Sequence, residues 1–106
     1  MTRILVVSAP AETDLAEATA WYNRIRPGLG DHLVLCVEHA FDRILEHPEA
    51  FPVILPDVRR TLVRRFPYGV FFRIRQQRIE VEAVFHLRTD TARCWERLDS
   101  TQEKDS

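Results

Sequence analysis

Apolar positions change their period along the 106-residue chain, and the changes mark out its elements. Residues 3–8 hold an unbroken apolar run, Ile4, Leu5, Val6 and Val7, which predicts a short strand covered on both faces. The spacing then turns helical, with Leu15, Ala18, Trp21, Tyr22 and Ile25 recurring at three- and four-residue steps over about residues 10–26. Ser8 is placed to cap this helix, Pro10 fits its first turn, and Glu12 and Asp14 lie near the positive end of its dipole. Pro27-Gly28 ends it, because proline cannot continue a helix and glycine accepts the turn. A second helix follows from about Leu29 to His47, with Leu33, Val37, Ala40, Phe41 and Ile44 on one stripe. The short link implies a helical hairpin with both apolar faces turned to one sheet.

Pro48, Pro52 and Pro56 then punctuate a loop anchored by Phe51, Val53, Ile54 and Leu55. Beyond it the period becomes two, predicting strands at residues 58–65, 68–75 and 78–87 in a half-buried antiparallel arrangement. With Gln76-Gln77 at a hairpin tip, Ile74 opposes Ile79 and Arg73 opposes Glu80. Phe72, Ile74, Ile79, Val81 and Phe85 are the expected core face. Thr89 or Asp90 should cap a last helix reaching about Leu98, and the polar residues 99–106 should fray. The fold class is therefore α+β, β-α-α-β-β-β-α, with a helical hairpin on a mainly antiparallel sheet and one domain over residues 1–98.

Composition adds little until charge is divided by region. Hydrophobic content of 45% and charged content of 29% are ordinary for a globular protein. The four-residue apolar run is too short for a signal-peptide core or a membrane span, so a cytoplasmic location without membrane association is expected. Cys36 and Cys94 have no disulfide-framework spacing. Residues 57–97 carry a net +5, against −4 before them and −2 after, within an overall −1. A near-neutral protein with one basic region has a directed field, which suggests an acidic partner.

The chain resembles the RelE/ParE toxins of bacterial toxin–antitoxin (plasmid stabilisation) modules. The likeness lies in ETDLAEATAWYN, in RPGLGDHLVLCVEHAFDRILEHPEAFP, in RRTLVRRFPYGVFFRI and in IEVEAVFHLRTDTARCW, and so covers nearly the whole chain. The resemblance implies a growth-inhibiting toxin neutralised by a cognate antitoxin, with which it could form a hetero-oligomer, and no cofactor. RelE-like members are ribosome-dependent messenger-RNA nucleases; ParE-like members act on DNA gyrase. In the nucleases, basic side chains come from the second strand, from the position after a tyrosine and from the end of the last strand, beside a C-terminal aromatic. Here Arg60 and Arg88 match basic positions. Leu62 and Gly69 replace two others, and Trp95 stands where a phenol would move a proton. The ParE-like branch, inhibiting gyrase by protein binding, fits these residues better. The alternatives are an mRNA endonuclease and a small interaction domain without toxicity.

The candidate residues follow. Arg59, Arg60, Arg64 and Arg65 form either an acidic-partner surface or a charged strand edge, and Trp95 joins the expected partner surface. Arg60, Arg65, His86 and Arg88 are the catalytic set should the chain be a metal-independent nuclease; His86 and Arg88 would share one strand face beside the last helix. Arg73 and Arg75 have Glu80 as a partner and fall outside the site. His32, Cys36 and His39 recur at i, i+4 and i+7 but flank the apolar stripe and lack further ligands, so no metal is expected.

Overall fold

Ser8 opens the first helix as its position in the sequence indicates. Its hydroxyl accepts the Ala11 N–H at 3.2 Å, and α1 runs Ala9–Ile25. Gly28 adopts the left-handed φ of 93° between this helix and α2, Leu29–Glu46. The two pack closely where Gly30 meets α1: a Cβ there would overlap the Thr19 carbonyl, and the Asn23 side chain instead accepts the Gly30 N–H at 2.8 Å. The computed structural model describes the backbone of residues 3–105 and the side chains of residues 3–99.

The strands are β1 (Ile4–Val7), β2 (Val53–Leu55), β3 (Val58–Leu62), β4 (Tyr68–Ile74) and β5 (Arg78–His86), and the last helix is α3 (Thr91–Asp105). They form one five-stranded sheet in the order β1-β5-β4-β3-β2, antiparallel except that β1 runs parallel to β5. The α+β class and element order agree with the sequence. So does the tip at Gln76-Gln77, where Ile74 faces Ile79 and Arg73 faces Glu80.

Several expectations are corrected. Residues 53–55, expected as loop, form the short edge strand β2; Pro52 and Pro56 beside it are tolerated because an edge leaves one side of the backbone unpaired. The strand expected over residues 58–65, β3, ends at Leu62, and Arg64 and Arg65 lie in the turn before β4. β1 is covered on one face: Leu5 and Val7 join the core, but Ile4 and Val6 are exposed. On α1, Trp21 and Ile25 leave the stripe and are exposed, while Ala11, Leu15, Ala18 and Tyr22 pack inward.

The sheet is covered on both faces, which a one-sided pattern did not indicate. The hairpin of α1 and α2 packs on one face over Val63, Val70, Phe72, Ile79, Val81 and Val84. On the other, Cys94 and Leu98 of α3 close a second core over Val58, Phe71, Ala83 and Phe85. Phe85 was expected on the same face as Phe72 and Val81. A β-bulge moves it: Phe71 pairs with Ala83 but Phe72 with Val81, so Glu82 is an extra residue and the inward face switches beyond it.

Helical backbone in α3 continues past Leu98 to Asp105. Of residues 99–106, where fraying was expected, Ser106 and the side chains from Ser100 on lie outside the described residues. Among the described residues, no helix is long and apolar enough to cross a membrane.

Candidate functional site

The expected basic strand does not act as one surface, because alternate residues of β3 face opposite sides of the sheet. Arg59 turns toward the hairpin side and donates to the carbonyls of Glu49 and Phe51, at 3.1 and 2.7 Å. That binds the segment before β2 to the sheet. Arg60 turns to the α3 side. Arg64 and Arg65 lie exposed in the β3–β4 turn, where Arg65 holds a left-handed φ of 69°.

On the α3 side, Arg60, His86 and Trp95 line one small recess of about 60 Å³, with Ile54, Leu87 and Cys94. Three of the sequence-selected residues therefore converge. The lining is largely apolar. Leu62, paired opposite Gly69, is 53% exposed, and Leu87 and Trp95 are also exposed. Nothing cationic can be placed at Gly69 without moving neighbours, since a Cβ there would lie 3.1 Å from Leu87 and 3.3 Å from the Arg60 side chain. The Arg60 Nε is buried without a hydrogen-bond partner among the described residues.

His86 ends β5, and the strand does not persist to Arg88. Its Nδ1 accepts the Arg88 and Thr89 N–H groups, at 3.1 and 3.2 Å, folding residues 87–90 into a turn. Its own backbone N–H goes to the Asp90 carboxylate at 2.9 Å. The imidazole therefore organises the entry to α3, with Nδ1 as acceptor and Nε2 left to carry the proton. Arg88 is exposed on that turn and does not share a strand face with His86. Asp90 immediately precedes α3, but its carboxylate serves His86 and also pairs with Arg93 at 3.3 Å.

His86 also borders a larger cleft of about 410 Å³ beside α1, lined by Asp14, Glu17, Trp21, Tyr68 and Asp90. Burial, with added repulsion from Tyr22 and Asp90, pushes the Tyr68 phenol up to about 12, so it stays protonated at neutral pH. Arg93 lines this cleft too, and the acids Asp90 and Asp14 are paired with Arg93 and Arg97.

Two ionic clusters were not legible in the sequence. Arg97 of α3 reaches Asp14 of α1 at 2.6 and 3.0 Å, while Asp14 also accepts the Val84 N–H at 3.0 Å. Asp14 thus ties both helices to the free side of β5 beyond the end of β1. The other cluster surrounds Arg73, which is fully buried. It donates to the Leu98 carbonyl at 3.2 Å and pairs with Glu82 at 3.4 Å and Asp57 at 3.8 Å. Glu80 pairs instead with Arg75 and Arg78. Glu82 lies two residues beyond Glu80, the residue that faces Arg73 across the strands and to which sequence pairing pointed. Among the described residues, no group of three or more His, Cys, Asp or Glu side chains is placed to hold a metal ion.

No family model matches the chain. It is 36% identical over 87 residues to Toxin ParE2 of Mycobacterium tuberculosis, in strains H37Rv and CDC 1551, covering 81% of this chain and 83% of that protein. Its fold is similar to a chain of the chromosomal ParDE toxin–antitoxin system from P. aeruginosa, with a TM-score of 0.74 and 18% identity over 82% of this chain and 98% of the other. It is also similar to a mutant of E. coli toxin RelE in the free state, with a TM-score of 0.66 and 16% identity over 89% and 93%.

Proposed function

The chain belongs to the RelE/ParE family of toxins, and we propose on that premise that it is a ParE-like member that inhibits DNA gyrase by protein binding. As the toxin of a type II toxin–antitoxin module, it has a cognate antitoxin as its partner.

One observation carries the choice of branch: the surface above Gly69, which would have to gather cations around a scissile phosphate, presents leucines and an indole. Leu62 and Leu87 are exposed there, and their side chains neither donate protons nor offset charge. Trp95 can only donate its indole N–H and cannot supply the phenol's proton exchange. His86 spends Nδ1 on two backbone amides, so a base at that nitrogen would dismantle the turn. An exposed apolar rim around one guanidinium suits a protein surface better than a polyanion.

The second reading, messenger-RNA cleavage, draws on the convergence of Arg60 and His86 in one recess, with Arg65 and Arg88 as further cations. Arg65 and Arg88 line no part of that recess. Primer-extension mapping of cellular messages during expression without antitoxin separates the two. Intact messages are expected. Codon-phased cuts that vanish in His86→Ala or Arg88→Ala would overturn the proposal.

A further inference from the structure

The cleft of about 410 Å³ beside α1 gathers side chains from three parts of the fold. Glu17 and Trp21 line it from α1, Asp90 and Arg93 from the entry to α3, and Tyr68 and His86 from the sheet. We propose that this cleft binds a guanidinium group, borne by a free small molecule or by an arginine side chain. Glu17 and Trp21 are its principal contacts, and the Tyr68 hydroxyl is a further acceptor. The proposal does not depend on whether gyrase or RNA is the target.

Tyr68 provides the first argument. It is only 8% exposed and lines the cleft, yet its hydroxyl has no hydrogen-bond partner among the described residues. Buried polar groups are paired in the great majority of cases, so an unpaired phenol at a cleft marks a place for an incoming partner. Edge contacts with the rings of Tyr22 and His86, at 6.2 and 5.2 Å between centroids, hold the phenol in place. Protonated at neutral pH, it still offers oxygen lone pairs to an N–H donor.

Charge decides the sign of the ligand. Asp90 and Asp14 are each matched by one guanidinium, from Arg93 and Arg97. Glu17 is exposed and has no ion-pair or hydrogen-bond partner among the described residues, so the cleft carries one carboxylate in excess. Arg93, the cation already present, is held by Asp90 and lies over the Phe85 ring at 5.3 Å, on the α3 side. Other exposed acids also lack partners; Glu17 differs in its neighbour. Trp21 follows it by four residues, which makes the two adjacent on one helical face, and both line the cleft. The indole is half exposed and held by an edge contact with Tyr22 at 4.9 Å. An aromatic face attracts a cation, and a carboxylate beside it selects the flat, weakly hydrated guanidinium, which stacks on the ring while its fork meets the two oxygens.

The test follows the indole N–H signals of the full chain by NMR as three probes are added. They are agmatine, N-acetyl-arginine amide and N-acetyl-citrulline amide, whose urea has the shape of a guanidinium without its charge. The Trp21 signal should shift and saturate with both guanidinium probes, at an affinity at least about tenfold higher than for the citrulline probe. The Trp95 signal, from the Arg60 recess, should stay still. Tighter binding of agmatine points to a free small cation as the source, and tighter binding of the acetylated amide to an arginine of a polypeptide. Glu17→Gln should weaken both by about tenfold and Tyr68→Phe by about threefold, whereas Glu12→Gln, on the first turn of α1 and outside the cleft, should change nothing. The proposal is overturned by no saturable Trp21 shift up to about 20 mM probe, by citrulline binding as tightly as arginine, or by indifference to Glu17→Gln or to Tyr68→Phe. Circular dichroism checks the fold of each variant; Glu17 is exposed, so Glu17→Gln keeps the test decisive should Tyr68→Phe not fold.

Discussion

Replacing Arg73 by methionine should be among the most damaging changes this protein can suffer outside its apolar core. The side chain has no exposure, donates to the Leu98 carbonyl and faces Glu82 at 3.4 Å. Methionine fills most of the volume but strands Glu82, which is itself mostly buried. Removing one member of a buried pair costs about 3–5 kcal/mol, part of it from the carboxylate left behind. Losing the charged hydrogen bond that holds α3 falls within the same figure. In urea, where a chain of this size loses roughly 1–3 kcal/mol of stability per molar, the midpoint should fall by about 2 M. The pH dependence identifies the cause. Burial already raises the Glu82 carboxyl above its ordinary range, with Arg73 as the main opposing influence. Without Arg73 it rises further, so the native state holds a proton that the unfolded chain has released. Stability of the variant should therefore fall as pH climbs through the carboxylate range into neutrality, and recover in acid. Glu82→Gln added to Arg73→Met should restore much of the loss at neutral pH and little at pH 4. A defect equal at both pH values and indifferent to Glu82→Gln would refute the ionic explanation and leave lost packing as the cause.

Phe72→Ala and Phe85→Ala should each cost about 3–5 kcal/mol by urea titration, but only Phe85→Ala should speed amide exchange selectively in α3. Asp14→Asn should cost about 1–3 kcal/mol and loosen α1 and α3 together, since one carboxylate serves Arg97 and the Val84 amide. Burial, outweighing the pull of Arg97 and Arg60, lifts the Cys94 thiol to about 11, so native protein should resist iodoacetamide at Cys94 near neutrality. That thiol should also reduce stability as pH rises from its ordinary 9 toward 11, where the unfolded chain releases the proton first; Cys94→Ala should flatten that decline in an alkaline unfolding series.

The local pattern was legible wherever backbone signals acted alone. Ser8, Pro27-Gly28 and Gln76-Gln77 place the start of α1, the hairpin bend and the strand tip from short-range chemistry, and the structure agrees at each. What the sequence hid depends on one inserted residue. A bulge at Glu82 leaves the apolar count of β5 unchanged while sending Phe85 to the other face, so strict alternation put it in the wrong core. The same shift places Ala83 and Phe85 in the second core that α3 closes. Site residues suffered from a related limit. Arg59 and Arg60 are adjacent in sequence and opposed in space, whereas His32 and Arg65 are 33 positions apart and line one cleft. Only the packing of α2 against the β3–β4 turn brings the latter pair together.

The most direct test of the assignment is supercoiling of relaxed plasmid by gyrase in the presence of the purified chain. The account predicts inhibition that rises with the amount of chain added and is relieved by its cognate antitoxin. Undiminished supercoiling at a large molar excess of folded chain over gyrase would contradict it.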